Sequence, residues 1–217
     1  MSEPKKLSRR ERAKATQRRI VKAADKLFSE QGYAGTTMAQ VAEAAGVAVQ
    51  TVYFAFNTKA ALLSRAYQLA VGGEPEPLVP QEQPWYAAMA VEPGILPALR
   101  HLVTGVGEIM RRVTPLYLIA RVAADEDPDA ARMMAVNQEL RANGYKEALE
   151  LLRAKAEFRP GLTLERATDL LLLFVGMDAY HTLVNSRGWS HEEWVDWTVS
   201  VVAEQIFGFT LPDNDHR

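Results

Sequence analysis

Residues 36–59, TTMAQVAEAAGVAVQTVYFAFNTK, decide the fold of this 217-residue chain. Thr36 and Thr37 are typical helix N-caps, and the apolar residues that follow them recur at helical spacing. Gly46 comes directly after this short helix, at a turn whose left-handed backbone disfavours any Cβ. A second short helix, with Val52 on its apolar side, follows the turn. Two short helices joined by a glycine turn form a helix-turn-helix, whose second helix can enter the major groove of DNA.

Helical patterns flank this segment on both sides. Upstream, the apolar residues of 14–31 recur at i, i+3, i+4, i+7 and i+8, which is the spacing of one buried helix face. Gly32 ends that helix. Downstream, Asn57 and Thr58 cap a fourth helix from 59 to about 71.

The spacing of particular residues across 16–63 is more specific than the helical pattern alone. They are TQRRI at 16–20, AA at 23–24, LF at 27–28, GY at 32–33, TT at 36–37, VA at 41–42, AAGV at 44–47, TVY at 51–53, Phe56, TK at 58–59 and LL at 62–63. This pattern resembles the N-terminal domain of the TetR family of transcriptional regulators. The resemblance runs without a gap through nearly the whole first third of the chain.

The resemblance implies an all-α fold with two domains. Residues 1–72 would form an N-terminal three-helix helix-turn-helix DNA-binding domain with a basic arm, and residues 73–217 a larger helical domain for ligand binding and dimerisation. The later sequence agrees, because prolines and glycines separate helical patterns that show no strand alternation. These patterns lie at about 85–91, 94–112, 115–125, 128–156, 163–187 and 190–207.

The resemblance also assigns roles to residues on and around the second helix of the motif. Residues 48–51 would face base edges, where the amide of Gln50 can pair with adenine. Tyr53 and Lys59 would contact phosphates, with a core aromatic position as the less favoured alternative for Tyr53. Thr37 would meet a phosphate at a helix N-terminus, a role compatible with simple capping. The candidate DNA-binding residues are therefore Thr37, Val49, Gln50, Thr51, Tyr53 and Lys59.

Three positions on this helix depart from the family pattern. Ala48 replaces the usual small polar cap, and Phe54 and Ala55 stand where His or Tyr is common. These changes weaken polar contacts from the helix to DNA. We expect the basic N-terminal arm to compensate through sequence-independent attraction, so that DNA binding depends strongly on salt and on the arm.

The charge distribution supports a polyanionic partner at one end of the chain. The formal net charge is only −2. Residues 1–72 hold 12 Lys/Arg against 5 Asp/Glu, a balance of +7, and residues 73–217 hold 13 against 22, a balance of −9. A basic end on an acidic body is typical of proteins that bind nucleic acid through one domain.

By the same resemblance, the C-terminal domain contains an internal ligand pocket, and its last two helices pair with their mates as a four-helix dimer interface. Most candidate lining residues have a simpler explanation as core residues, since Met and aromatic side chains usually pack there. Asp178 and His181, spaced i, i+3 on an apolar helix, are either polar groups of a pocket or a pair at the dimer interface. The run 170–175 is apolar all round, which predicts burial on most sides. The ligand-binding candidates are Trp85, Met89, His101, Tyr117, Phe174, Met177, Asp178 and His181.

Composition argues against several other classes of protein. The absence of cysteine excludes disulfides, iron–sulfur clusters and cysteine nucleophiles, and the four histidines lack metal-ligand spacing. No glycine-rich phosphate loop or nucleophile motif is present, so we expect neither enzymatic activity nor a cofactor or metal. No apolar run reaches about 18 residues, and the basic N-terminus lacks an apolar core. We therefore expect a cytoplasmic protein without a membrane span or signal peptide.

The sequence favours a homodimeric repressor that leaves a palindromic operator in double-stranded DNA when a small apolar or aromatic molecule binds. One alternative is an activator, or a regulator of the same fold that no metabolite controls. A second alternative is a helical ligand-binding or scaffolding protein of the same fold that has lost specific DNA binding.

Overall fold

A computed structural model describes residues 8–73 and 78–209, and within these ranges every regular element is helical. The predicted all-α fold is confirmed. The helices are α1 (Arg9–Gly35), α2 (Met38–Ala45), α3 (Val49–Phe56), α4 (Lys59–Gly72), α5 (Pro84–Val91), α6 (Ile95–Glu126), α7 (Pro128–Arg153), α8 (Leu164–Phe174), α9 (Met177–Tyr180) and α10 (His191–Phe207). A 3₁₀ turn, Pro80–Glu82, precedes α5, and a π-helical turn, His181–Ser186, follows α9.

The helix-turn-helix forms for the local reasons that its sequence indicates. Thr37 is the N-cap of α2, and its hydroxyl and the Gln40 side chain form a capping box. Gly46 ends α2 in the left-handed conformation, with φ 64° and ψ 44°. Gly32, with φ 72°, interrupts α1 where the sequence predicts an end, and a further turn continues to Gly35.

Helix α6 is a single helix rather than the two predicted on either side of Pro115. Pro115 lies inside Ile95–Glu126. The expected break at this proline is wrong because its neighbours are anchored in the core: Val113, Thr114 and Leu116 are all buried. The Thr114 hydroxyl also donates to the carbonyl of Met110 at 2.6 Å, one turn earlier.

The helix predicted over 163–187 is broken in the middle. It ends at Phe174 and resumes at Met177. Gly176 permits the break, since a Cβ there would lie 2.7 Å from the carbonyl oxygen of Leu172. By length and composition alone, the stretch 164–186 is long and apolar enough to cross a membrane, which corrects the expectation that no such stretch exists. Buried core helices of globular proteins pass the same test, and α8 packs against α10.

The chain divides into two compact units whose boundary differs from the predicted one at residue 72. We call residues 1–68 and 115–134 the head unit, and residues 69–114 and 135–217 the body unit. The division falls within α4, α6 and α7. The head unit thus includes the α6–α7 corner as well as the helix-turn-helix, because contacts between distant parts of the chain, which no local pattern reveals, hold the corner there.

Candidate nucleic-acid interface

Helix α3 presents one buried and one exposed face within the head unit. Val52 is fully buried and anchors α3, which packs against α2, while α2 packs against α1. Gln50, Tyr53 and Phe54 lie on the exposed side. Tyr53 is 50% exposed and Phe54 is 95% exposed. The alternative that Tyr53 is a core residue is therefore wrong.

The other predicted DNA-binding residues surround this exposed face at different depths. Val49 and Thr51 are half-buried at the start of α3, whose N-cap, Ala48, makes no side-chain hydrogen bond. Thr37 is exposed at the N-terminus of α2, where its Oγ1 accepts from the backbone N–H of Gln40 at 3.2 Å. The capping role of Thr37 is confirmed, and its phosphate contact stays a prediction.

Lys59 is held inside the head unit rather than extended into solvent. Its Nζ donates to the carbonyl oxygen of Tyr33 at 2.7 Å and lies 4.1 Å from the centroid of the Tyr33 ring. Burial lowers the pKa of Lys59, while the nearby carboxylate of Asp127 opposes that shift. An ammonium group has three N–H donors, and the bond to Tyr33 uses one of them. Lys59 therefore still has donors for a phosphate, and this phosphate contact stays a prediction.

A hydrogen bond that sequence reasoning missed joins the helix-turn-helix region to the α6–α7 corner. The hydroxyl of Tyr33 donates to Oδ2 of Asp127 at 2.5 Å. Burial is the main cause that raises the pKa of Tyr33, and the hydrogen bond to the Asp127 carboxylate is the second cause. The same hydrogen bond lowers the pKa of Asp127. The two residues are 94 positions apart, and no local pattern pairs them.

Helix α1 supplies the positive charge that the sequence predicts. It packs against α2. Its exposed basic side chains are Arg9, Arg10, Arg12, Lys14, Arg18, Arg19, Lys22 and Lys26. The first seven residues of the proposed arm lie outside the described residues.

In the body unit, Trp85 packs directly on α6. A Cβ on Gly105 would lie 2.1 Å from the Trp85 ring, so only glycine permits this contact. The indole N–H of Trp85 donates to Oε1 of Gln83 at 2.9 Å. Met89, one turn further along α5, is fully buried.

The candidate residues of α8 and α9 occupy different surroundings. The Phe174 ring meets the Trp197 ring edge to face, with centroids 6.4 Å apart. Met177 is buried, and its sulfur contacts the guanidinium group of Arg141. His181 is half-buried, and its Nδ1 has no hydrogen-bond partner among residues 8–73 and 78–209.

Three of the ligand-binding candidates do not lie where the prediction requires. His101 and Asp178 are exposed, so an interior pocket position is wrong for both, while the alternative position of Asp178 at a dimer interface stays a prediction. His101 lies on the outward face of α6, opposite the buried Leu102 and Val103, because helical spacing alone does not say which face points inward. Tyr117 is half-buried in the head unit, whereas the other candidates belong to the body unit.

A partly buried polar cluster of the body unit was not predicted. Nδ1 of His191 lies 3.0 Å from the hydroxyl of Tyr180, and its Nε2 lies 3.5 Å from a carboxylate oxygen of Glu108. The imidazole also packs on Trp194 and on Gly107, where a Cβ would come within 2.9 Å of both rings. Gly107 is the sequence signal for this close contact, as Gly105 is for the contact with Trp85.

The geometry of the head unit is that of a helix-turn-helix DNA-binding protein, with an exposed α3 and a basic α1. Comparison with known proteins identifies the family. The family model for bacterial regulatory proteins of the tetR family matches residues 20–66. The helix-turn-helix domain of this chain therefore belongs to the TetR family, which confirms the resemblance seen in the sequence. The model describes its members as bacterial regulatory proteins.

Two curated relatives from Pseudomonas putida match the same region at 43% identity over 54 residues: the HTH-type transcriptional regulator TtgR and the probable HTH-type transcriptional regulator ArpR. Each match covers 25% of this chain and 26% of the relative. The sequence similarity to these relatives is therefore confined to about the first domain.

Solved structures extend the similarity in fold to nearly the whole chain. NalD, the secondary repressor of the MexAB-OprM multidrug efflux pump in Pseudomonas aeruginosa, aligns with a TM-score of 0.68 at 21% identity, over 91% of this chain and 98% of NalD. The fatty acid degradation regulator FadR from Bacillus halodurans aligns with a TM-score of 0.70 at 18% identity, over 91% of this chain and 96% of FadR. At such low identity these structural alignments show a shared fold alone, including the helical C-terminal part.

Proposed function

We propose that this chain is a transcriptional repressor that binds a palindromic DNA operator as a homodimer. In this proposal, a small apolar or aromatic molecule binds within the body unit and releases the operator. The observation that carries the proposal is the exposed face of α3, which presents Gln50, Tyr53 and Phe54 while Val52 anchors the opposite side.

Charge favours DNA as the partner of this face. Exposed Lys and Arg side chains crowd α1 in the same unit, and each basic group that neutralises a phosphate releases condensed counterions. The second alternative, a protein that has lost DNA binding, gives no reason for an exposed aromatic residue in the same unit as this charge.

Dimerisation is supported by the apolar surface of α8. The sequence predicts that 170–175 is buried on most sides, but Leu173 is 62% exposed in the single chain. Nearby, Trp189 and Phe174 both pack edge to face against Trp197 of α10. A second copy that packs on α8 and α10 would cover Leu173 and place two α3 helices in successive major grooves.

Release of DNA by a ligand is supported by the course of α6. Its first part, to Thr114, belongs to the body unit and carries Gly105 under Trp85. Its last part belongs to the head unit and leads to Asp127, which accepts the hydrogen bond from Tyr33. A ligand that favours one position of α6 over another would thereby change the population of DNA-binding states.

A mobility-shift titration with the DNA upstream of the chain's own coding sequence tests the proposal. We expect a discrete complex that persists with excess unrelated DNA, and loss of that complex on addition of an apolar or aromatic compound. No complex at low salt would refute DNA binding and favour a scaffolding or ligand-binding protein. A complex that a broad panel of such compounds leaves unchanged would refute the release mechanism alone.

A further inference from the structure

Phe54 is the most exposed large apolar side chain of the described residues, at 95% exposure. It lies two residues from Val52, so the helical period places the two side chains on nearly opposite faces of α3. Val52 is fully buried and fixes the orientation of the helix. Phe54 therefore contributes nothing to the core of the head unit, and its apolar ring is available to a partner.

The surroundings of Phe54 define the chemistry of that partner. Helix α3, VQTVYFAF, contains no charged residue, so it cannot form ion pairs with phosphates. Gln50 is exposed one turn before Phe54, and Asn57 is exposed three residues after it. The face thus combines an apolar ring with neutral amide groups, while most of the exposed basic side chains of the unit lie on α1.

The major groove of DNA offers one apolar group among its hydrogen-bonding base edges, the C5-methyl group of thymine. A phenyl ring has neither a donor nor an acceptor and cannot replace the phosphate contact of a His or Tyr. Gln50, on the same face, can pair bidentately with adenine. Four residues span about 6 Å along a helix, which corresponds to at most about two base-pair steps of ~3.4 Å.

We propose that Phe54 contacts the C5-methyl group of a thymine that lies within about two base pairs of an adenine bound by Gln50. The proposal rests on the proposed function, and it makes Phe54 a residue that determines sequence specificity. The protein thereby compensates for the polar groups that α3 lacks at positions 48, 54 and 55 with an apolar contact to one base.

Replacement of thymine by uracil tests this contact, because uracil lacks only the methyl group. The operator is first selected from random duplex DNA by the full-length protein, and each thymine is then replaced singly. We expect one thymine in each half-site at which uracil weakens binding about fourfold, the effect of one buried methyl group. In Phe54→Ala the same replacement should change affinity by less than twofold, whereas Phe54→Leu should keep part of the preference.

A matched control removes an exposed apolar side chain elsewhere. Val91 is 81% exposed in the body unit, so Val91→Ala should keep the full preference for thymine. A far-UV circular dichroism spectrum and melting temperature close to those of the parent protein would show that Phe54→Ala is folded.

The alternatives give different results. Equal loss of affinity for thymine and uracil operators in Phe54→Ala would place the ring against a sugar and overturn the proposal. Unchanged affinity in Phe54→Ala would show that Phe54 does not touch DNA and would point to a protein partner instead. Failure to select any DNA sequence would refute the proposed function itself, which separates that failure from failure of the thymine contact.

Discussion

Replacing Tyr33 with Phe should remove a single interaction from the head unit, the 2.5 Å hydrogen bond to Asp127. The rest of the side chain keeps its contacts, since a Phe ring can still stack on Phe28, 5.8 Å away, and lie under the ammonium group of Lys59. A hydrogen bond to a charged group contributes about 1.5–3 kcal/mol to stability. Asp127 is partly exposed, so we expect a contribution at or just below the lower limit of this range, about 1–1.5 kcal/mol.

A double-mutant cycle isolates this bond from the other contacts of Asp127. The carboxylate also accepts from the backbone N–H of Asp129 at 2.9 Å and caps α7. Asp127→Ala should therefore cost about 1 kcal/mol more than Tyr33→Phe, the usual contribution of a cap. The Tyr33–Asp127 coupling free energy should nevertheless equal the effect of Tyr33→Phe. Urea unfolding at fixed protein concentration measures the parent protein, the two single variants and the double variant. Asp125→Ala, which removes an exposed carboxylate, is the control.

The coupling should depend on pH in a defined direction. The hydrogen bond from Tyr33 lowers the pKa of Asp127 in the folded chain, whereas the unfolded chain keeps an ordinary aspartate pKa of about 3.9. The stabilisation is then complete above about pH 4 and is lost as the pH falls through the lower, folded value. A coupling free energy near zero at pH 7, or one that persists unchanged below about pH 3, would refute this account of the head unit.

Three further predictions concern other parts of the chain. Gly105→Ala should lower the free energy of unfolding by about 1–3 kcal/mol because its Cβ would overlap the Trp85 ring. Gly144 lies inside a helix, and a Cβ there would meet only a side-chain atom at 3.5 Å, so Gly144→Ala should raise the free energy of unfolding by about 0.5–1 kcal/mol. Thermal unfolding measures both variants, and equal effects would contradict the close contact at Gly105. Thr37→Ala should cost about 1 kcal/mol through loss of the α2 cap and weaken DNA binding, and unchanged urea unfolding would exclude a structural role for the hydroxyl. Deletion of residues 1–12 should lower operator affinity, and the slope of the log binding constant against log salt concentration should become less steep by up to about 0.9 per lost phosphate contact. Fluorescence anisotropy measures this slope, and an unchanged slope would refute the role of the arm.

The helix-turn-helix could be predicted from sequence because its determinants are local. Thr37 and Gly46 specify a cap and a left-handed turn within ten residues, and the structure contains both. The capping box between Ser190 and Glu193 at the start of α10 is equally local. Such features depend on the backbone of one or two turns and need no knowledge of tertiary packing.

Features that depend on distant contacts could not be predicted. Pro115 looks like a helix boundary, but burial of its neighbours keeps α6 continuous. The hydrogen bond between Tyr33 and Asp127 joins positions that only the folded chain brings together. The exposure of His101 and Phe54 follows from which helix face turns outward, and periodicity identifies a face without giving its direction.

A footprint of the full-length protein on its selected operator tests the central claim most directly. A homodimer with two exposed α3 helices should protect two half-sites related by two-fold symmetry, with centres about one helical turn of DNA, 10–10.5 base pairs, or a multiple of it apart. Gln50→Ala combined with Phe54→Ala should abolish this protection and leave only weak, salt-sensitive binding by the basic residues. Protection that survives both substitutions, or no protection by the parent protein at low salt, would contradict the claim that α3 recognises DNA.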